Sequence, residues 1–285
     1  MSTVAGRTAL LMALGSAAIP AQCQDPPTAS YGYDFGQRSG RFDLPNRLDE
    51  VSGLAFTADG RLFAHDDEVG TLHEIDIAEE GVGKRFYVGA DRVRGDFEGL
   101  AIVGDRFFLI SSLGLLYEFR EADDREASPY RVTDLGIGSS CEVEGLDYDA
   151  EDDALFVACK RVTPDQGAIV IHRVPLDPER ERLSPILVPK SQLSGLNLGS
   201  NFSPSAVVVT PRGTLILVAA AEEKLIEVDR SGRIVAGVRL SGNRHPQPEG
   251  LAIGPDGTLY IADEENGQDA RITLYVPEPV GGEGP

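Results

Sequence analysis

The stretch Asp96–Ile102, with the sequence Asp-Phe-Glu-Gly-Leu-Ala-Ile, is one of five copies of a short phrase in this chain. The third residues of the five copies are Ser52, Glu98, Glu144, Ser205 and Glu249. These positions are separated by 46, 46, 61 and 44 residues. The long interval contains a polar, proline-punctuated stretch from 177 to 200, which we interpret as an inserted loop. A period of about 45 residues is typical of repeat architectures.

Each copy is followed by the signals of a β-meander. A turn such as Asp59-Gly60 comes first, then a short apolar run such as Leu259–Ala262, and then an alternating run such as Leu72–Ile77. Short strands joined by Asp-Gly turns form antiparallel hairpins. Four such strands in about 45 residues are typical of one propeller blade. The sequence therefore predicts an all-β fold, a β-propeller of five blades with four antiparallel strands each, and six blades is the alternative count.

The two ends of the repeat region are expected to complete one blade together. After the last phrase, which begins at Gln247, only three strands fit before Val276. The segment 31–44 precedes the first phrase and can supply the missing outer strand. We therefore expect a single propeller domain over 31–278, closed by an N-terminal strand that completes the last blade. The glycine-rich segment 279–285 is expected to be a disordered tail.

The N-terminal segment has the order of an export signal. Arg7 supplies a positive charge, an apolar stretch runs from Ala9 to Ile19, and a small-residue region ends at Cys23. This stretch is too short to span a bilayer. We expect a signal peptide over 1–23, a linker over 24–30, and a periplasmic or secreted protein with no transmembrane segment. Lipid attachment at Cys23 is less favoured, because Gln22 stands where such sites take a small residue.

Charge and cysteine content narrow the function classes. The chain has 285 residues and a formal net charge of -20. Such a surface repels nucleic-acid phosphates, so we expect no nucleic-acid partner. The charge suits a protein that holds cations, although solubility alone would also account for it. Once Cys23 is removed, Cys141 and Cys159 remain on neighbouring strands of one predicted hairpin, either as a disulfide or as two buried thiols.

The repeated phrase places acidic residues at the centre of the propeller. The innermost strand of a blade lines the central channel, so Glu98, Glu144 and Glu249 are expected to converge there. Converging carboxylates repel one another unless a cation or protons intervene. Hard oxygen ligands in a loose arrangement favour Ca²⁺ over transition metals. Alternatively, each glutamate accepts hydrogen bonds from backbone N–H groups of the next blade and binds no ligand.

Six further residues are expected to line the channel or to support this site. Two of them replace glutamate in the phrase, two follow second strands, one is placed to pair with Glu144, and one is a histidine that lies near the end of a phrase. They are, in that order, Ser52 and Ser205, Asp67 and Glu264, Lys160, and His65. The four histidines of the chain do not form a zinc-binding pattern.

The phrases, together with Leu155–Lys160 and Phe202–Ala206, resemble the SdiA-regulated family of bacterial propellers, which is related to NHL-repeat and phytase-like propellers. The similarity runs from about Phe42 to Val276. It implies a five-bladed propeller that binds calcium and has no established reaction. By motif position, the calcium role falls on Glu98, Glu144 and Glu249. The pair Ser111-Ser112 departs from the pattern, which argues against a complete second acidic ring.

Two functions remain open from the sequence. The first is an exported calcium-binding propeller of the bacterial cell envelope that presents its channel rim to a protein, glycan or small-molecule ligand. The alternative is a calcium-dependent hydrolase, either an esterase, a lactonase or a phytase-like phosphoesterase, with its site at the central channel. The hydrolase needs an open metal coordination position and a nearby base, for which His65 and Asp67 are the candidates.

Overall fold

The computed structural model describes residues 32–277 together with Met1. The expected signal peptide and linker and the tail from 279 lie outside the described residues. The described chain forms five antiparallel sheets, and each sheet is a blade of four consecutive strands with two exceptions noted below. The predicted five-bladed propeller is therefore confirmed.

The strands of the first three blades follow the chain order. Blade 1 consists of β2 (Val51–Phe56), β3 (Leu62–Asp66), β4 (Thr71–Asp76) and β5 (Gly81–Val88). Blade 2 consists of β6 (Phe97–Val103), β7 (Arg106–Ser111), β8 (Leu115–Arg120) and β10 (Tyr130–Asp134). The two-residue strand β9 (Ala127–Ser128) pairs in parallel with β5 and extends the outer edge of blade 1. Blade 3 consists of β11 (Cys141–Asp149), β12 (Ala154–Val162), β13 (Ala168–Pro175) and β14 (Leu183–Pro189).

The last two blades contain the closure of the ring. Blade 4 consists of β15 (Ala206–Val209), β16 (Leu215–Ala219), β17 (Lys224–Val228) and β18 (Ile234–Arg239). Blade 5 consists of β19 (Pro248–Ile253), β20 (Leu259–Asp263), β21 (Arg271–Tyr275) and the N-terminal strand β1 (Gly40–Asp43). Strand β1 pairs antiparallel with β21, with Phe42 opposite Ile272. The expected completion of the last blade by the N-terminal segment is therefore present.

The expectation of an inserted loop over 177–200 was wrong in part. This stretch contains β14, the outer strand of blade 3, and a 3-10 helix over Lys190–Leu196. Pro185 and Pro189 concealed the strand in the sequence, because proline is rare in central strands. On an outer edge, however, a strand tolerates the missing N–H group. The buried side chains of Ile186 and Val188 face the core, and their neighbours are exposed.

The core lies between the blades. Within the described residues, five apolar clusters each combine side chains from two adjacent blades, so that every blade-to-blade interface has one. Between blades 1 and 2, Phe63 and Phe86 each meet Phe107 edge-on, with ring centroids 5.2 and 5.7 Å apart. The innermost strands approach still more closely: a Cβ atom on Gly99 would lie 2.6 Å from the backbone nitrogen of Leu146 in the next blade. Glycine in the phrase is therefore required by the contact between neighbouring backbones.

Residues 32–277 contain one disulfide bond and no membrane-spanning helix. Cys141 and Cys159 are joined by a disulfide that links β11 to β12 in blade 3. Within residues 32–277, no helix has the length and apolar character needed to cross a membrane.

Closure of the ring is expected to depend on Phe42. This side chain is 6% exposed and packs in the cluster between blades 5 and 1. We expect Phe42→Ala to lower the free energy of unfolding by about 3–5 kcal/mol, the usual cost of removing a buried phenylalanine. Urea unfolding measures this loss. Val132→Ala, on the exposed strand β10, is the control and should change stability by at most about 0.5 kcal/mol. Equal stability of the two variants would show that β1 does not contribute to closure.

Candidate functional site

The strand pairing defines two sets of residues around the channel. The first ring contains the third residues of the repeated phrase, at the start of each innermost strand: Ser52, Glu98, Glu144, Ser205 and Glu249. The second ring lies on the second strands, across each hairpin from the first ring. In blades 1, 2, 3 and 5 it contains the residue that follows the partner of Val51, Phe97, Val143 or Pro248, which is Asp67, Ser112, Lys160 or Glu264. In blade 4 the corresponding residue is Ala220, whose backbone N–H donates to Ser205 Oγ. Each blade thus contributes one residue to each ring.

An acidic cavity of about 150 Å³ lies where residues of the two rings meet. Blades 1, 2, 3 and 5 contribute its walls. The lining residues are Ser52, Asp67, Glu98, Glu144, Lys160, Gln247, Glu249 and Glu264. The structure therefore brings together the three glutamates of the predicted site and four of the six supporting residues. It surrounds one small cavity with five carboxyl groups and one ammonium group.

The hydrogen bonds inside the acidic cavity join side chains to side chains. The ammonium of Lys160 donates to Glu144 Oε1 at 2.8 Å. The hydroxyl of Ser52 donates to Glu98 Oε2 at 3.3 Å, and the amide of Gln247 donates to Glu264 Oε2. These contacts therefore do not support the alternative in which each glutamate accepts hydrogen bonds from backbone N–H groups of the next blade. That role falls to Ser205, whose hydroxyl donates to the carbonyl of Pro248 in blade 5 at 2.6 Å.

Burial and mutual repulsion raise the pKa of the carboxyl groups in this cavity. Burial, together with the negative charge of Glu144, raises the pKa of Glu98 to about 9. Burial and Glu144 also raise the pKa of Glu249 well above its usual value. Burial raises the pKa of Glu264 to about 7 and that of Asp67 to about 6, with further repulsion from nearby carboxylates. The pKa of Glu144 is raised by burial even though Lys160 opposes the shift. At neutral pH the cavity therefore takes up protons or a cation.

The donor chemistry of the cavity fits a hard cation. All five acidic groups offer carboxylate oxygens, and Asp67 Oδ1 is buried without a hydrogen-bond partner. The oxygens are not gathered at one point, however. Among the described residues, one group of three His, Cys, Asp or Glu side chains has its ligand atoms within 4.8 Å of one another, and it consists of Cys141, Cys159 and His172. Its two cysteines form the disulfide. Calcium bound by these carboxylates would therefore retain water or draw side chains inward, since it prefers six to eight oxygens.

His65 does not line the acidic cavity, so the first of the two roles expected for it, lining the channel or supporting the site, is wrong. It lies opposite Gly53 in the hairpin of blade 1, and its ring fills the space that the missing side chain leaves. The ring is fully buried, and Nδ1 contacts the carbonyl oxygen of Asp66 at 2.8 Å. Burial lowers the pKa of His65 to about 4, so the ring is neutral at physiological pH. His65 is therefore not available as a base at the channel.

Ser205 lines a second, larger cavity, which we call the blade-4 cavity. It has a volume of about 400 Å³. Its lining residues are Lys160, Ser203, Ser205, Ala220, Ala221, Glu223, Pro246, Gln247, Glu249 and Asn266. Three of these, Lys160, Gln247 and Glu249, also line the acidic cavity. The two cavities are therefore neighbours that share a wall.

Gln247 is a functional candidate that the sequence reasoning missed. It lines both cavities and donates a hydrogen bond to Glu264. It is the first residue of the fifth phrase, where the other copies have glutamate, aspartate or serine. That difference in one copy was the available signal, but the register that directs the side chain into the cavities is visible only in the structure.

The fold and this site define a five-bladed β-propeller with an acidic central channel. The chain belongs to the SdiA-regulated family, whose sequence model matches residues 40–267.

Solved structures of similar fold include several enzymes. The glutaminyl cyclase of Myxococcus xanthus is 17% identical with a TM-score of 0.58, and the alignment covers 84% of this chain and 94% of that one. A luciferin-regenerating enzyme is 8% identical with a TM-score of 0.55, over 84% and 92% of the two chains. A streptogramin B lyase is 12% identical with a TM-score of 0.51, over 82% and 96%. At these identities the similarity concerns the fold alone.

Glu98→Gln is expected to stabilise the protein above neutral pH in the presence of a chelator. The pKa of Glu98 is about 9 in the folded state, against an unperturbed value of 4.5. Between these pH values the carboxyl group is ionised in the unfolded state but protonated in the folded state, so the free energy of unfolding falls as the pH rises. The variant removes this penalty and should raise Tm at pH 8, by about 2–4 °C for each kcal/mol gained. The gain should disappear once the pH lies below the lower value, where Glu98 is protonated in both the folded and the unfolded state.

Differential scanning calorimetry across this pH range measures the effect. Glu79→Gln, at an exposed turn position, is the matched control and should show no such pH-dependent gain. A Glu98→Gln protein that is no more stable than the parent at pH 8 would contradict the proposed repulsion in the cavity.

Proposed function

We propose that this protein is an exported calcium-binding propeller that acts as a binding module, with the ion held in the acidic cavity. The observation that carries the proposal is the imbalance of charge in that cavity. Five carboxyl groups face one ammonium, and burial and repulsion raise the carboxyl pKa values. A divalent cation relieves this repulsion without requiring the side chains to be protonated.

The choice of calcium follows from the ligands. Carboxylate and hydroxyl oxygens are hard donors, and the described residues that line the cavity include neither a cysteine nor a histidine. Glu98, Glu144 and Glu249 would hold the ion, and Ser52, Asp67 and Glu264 would support it. Because the oxygens are spread around the cavity, we expect an open site that keeps water ligands. The affinity of such sites in extracellular modules is about 10⁻⁴–10⁻³ M.

Export rests on separate support. The segment 1–23 has the residue order of a signal peptide, although it lies outside the described residues. The disulfide between Cys141 and Cys159 suits an oxidising compartment such as the periplasm or the extracellular space. The rim around the channel, with the blade-4 cavity beside it, is the surface on which a protein, a glycan or a small molecule would bind.

A calcium-dependent hydrolase is the second candidate, and the blade-4 cavity is the observation that favours it. A substrate in that cavity would lie beside the acidic cavity, because the two share Lys160, Gln247 and Glu249. Calcium would polarise a carbonyl or phosphoryl oxygen when bound. Glu264, whose pKa is raised to about 7, is placed to accept a proton near neutral pH, which His65 is not. Calcium-stimulated hydrolysis of aryl esters, lactones or phosphomonoesters by the purified protein would favour this candidate over the binding module.

Calcium is expected to raise the melting temperature by mass action. With about 10 mM calcium and the affinity given above, Tm should rise by about 3–10 °C relative to the protein in chelator. Glu249→Gln should reduce the rise, and Glu79→Gln, at an exposed turn position, should leave it unchanged. Isothermal titration calorimetry gives the affinity directly. A melting temperature that is equal in chelator and in calcium would exclude the ion site.

A further inference from the structure

Blade 4 differs from the other blades at the channel. In blades 1, 2, 3 and 5, at least one of the two ring positions is occupied by a charged residue. Blade 4 has Ser205 and Ala220 at these positions. The hydroxyl of Ser205 donates to the carbonyl of Pro248 in blade 5 and accepts from the backbone N–H of Ala220. The blade therefore leaves open the space that charged side chains fill elsewhere, and the blade-4 cavity lies at this opening.

The blade-4 cavity has the size and the walls of a small-molecule site. Its volume of about 400 Å³ lies within the range of about 300–1,000 Å³ that such sites occupy. Ala220, Ala221 and Pro246 provide apolar contact area. Ser203 and Asn266 add polar groups at the side of the cavity. The mixture suits a compact organic molecule with a polar group.

The ammonium of Lys160 favours a ligand whose polar group is negatively charged. Lys160 is the one basic residue among the described residues that line either cavity, and it lines both of them. Its ammonium now pairs with Glu144 at 2.8 Å. A cation in the acidic cavity would neutralise the carboxylate of Glu144 in place of Lys160, and it would repel the ammonium of Lys160. Lys160 is then available to a ligand on the side of blade 4.

We propose that the blade-4 cavity binds a small organic oxyanion, a carboxylate or a phosphate ester, whose charged group lies between Lys160 and the calcium site. This inference rests on the proposed calcium function. The carboxylates of the acidic cavity do not converge on one point, so an ion there has coordination positions to share. An oxyanion that enters from blade 4 supplies the missing oxygens and meets the ammonium of Lys160.

An organic cation is the rival occupant, because Glu223 and Glu249 also line the cavity. The two occupants respond oppositely to calcium and to Lys160. An oxyanion binds better with calcium present and worse without the ammonium. An organic cation binds better without calcium and better without the ammonium.

The experiment measures binding of three probes of equal ring size to the full mature protein by isothermal titration calorimetry. The probes are phenyl phosphate, benzoate and benzylamine, each titrated in calcium and in chelator. We expect phenyl phosphate or benzoate to bind in calcium and to bind at least about tenfold more weakly in chelator. The two anions distinguish a phosphate from a carboxylate ligand, and binding of either supports the proposal.

Variants locate the site. Lys160→Met should weaken anion binding about tenfold or more and strengthen calcium binding, because it removes an ammonium that competes with the ion. A merely structural role for Lys160 would not move the two affinities in opposite directions. Ala221→Leu should fill the cavity and abolish anion binding while calcium binding persists. Ala78→Leu is the matched control, since both alanines are exposed turn residues, and it should bind like the parent.

The possible negative results distinguish failure of the proposed calcium function from failure of the oxyanion inference. Absence of calcium binding would overturn the proposed function and this inference with it. Calcium binding without binding of either anion would overturn the inference alone. Binding of benzylamine that strengthens in chelator or after Lys160→Met would identify an organic cation and also overturn it. Anion binding that survives Ala221→Leu would place the ligand elsewhere.

Discussion

Close contact between the innermost strands is the constraint on which the rest of the structure depends. Gly99 meets the backbone of Leu146, and Gly145 in turn meets the backbone of Val207, so blades 2, 3 and 4 touch without intervening side chains. This contact draws the starts of the innermost strands towards one axis. Side chains that lie one period apart in the chain then share a space of about 150 Å³. The repulsion among Glu98, Glu144 and Glu249 follows from backbone packing, and the stabilisation that offsets it comes from the apolar interfaces between blades.

The single ammonium of Lys160 does not remove the repulsion among the carboxyl groups of the acidic cavity. Lys160 neutralises a single carboxylate, and the pKa of Glu144 is nevertheless raised. The cavity thus keeps a surplus of acidic groups after its internal pairing. Such a surplus is costly in a purely structural channel, since neutral residues would pack there at lower free energy. Ser205, which donates to the backbone of the next blade, shows how this fold ties blades together without like-charge repulsion.

Much of this arrangement could be predicted from the sequence, because the phrase repeats both the strand and its position. The period gave five blades, and the third residue of the phrase gave Glu98, Glu144 and Glu249 at one cavity. The errors arose where the direction of a side chain depends on its neighbour across the hairpin. His65 turns into the space left by Gly53, and Gln247 turns into both cavities. The outer strand β14 was missed because its prolines are unfavourable in a central strand but permitted at an edge.

Strand β1 has a consequence for how the molecule is made. It pairs with β21, so the first and last strands of the described chain are neighbours in one sheet. Blade 5 cannot be completed until the chain has been made as far as β21. During synthesis the early blades therefore have an open edge until β21 is made, and contacts of such large sequence separation slow folding. In the closed ring the first and last strands of the described residues lie side by side in one blade, so joining them and cutting another outer loop would preserve the other strand pairs.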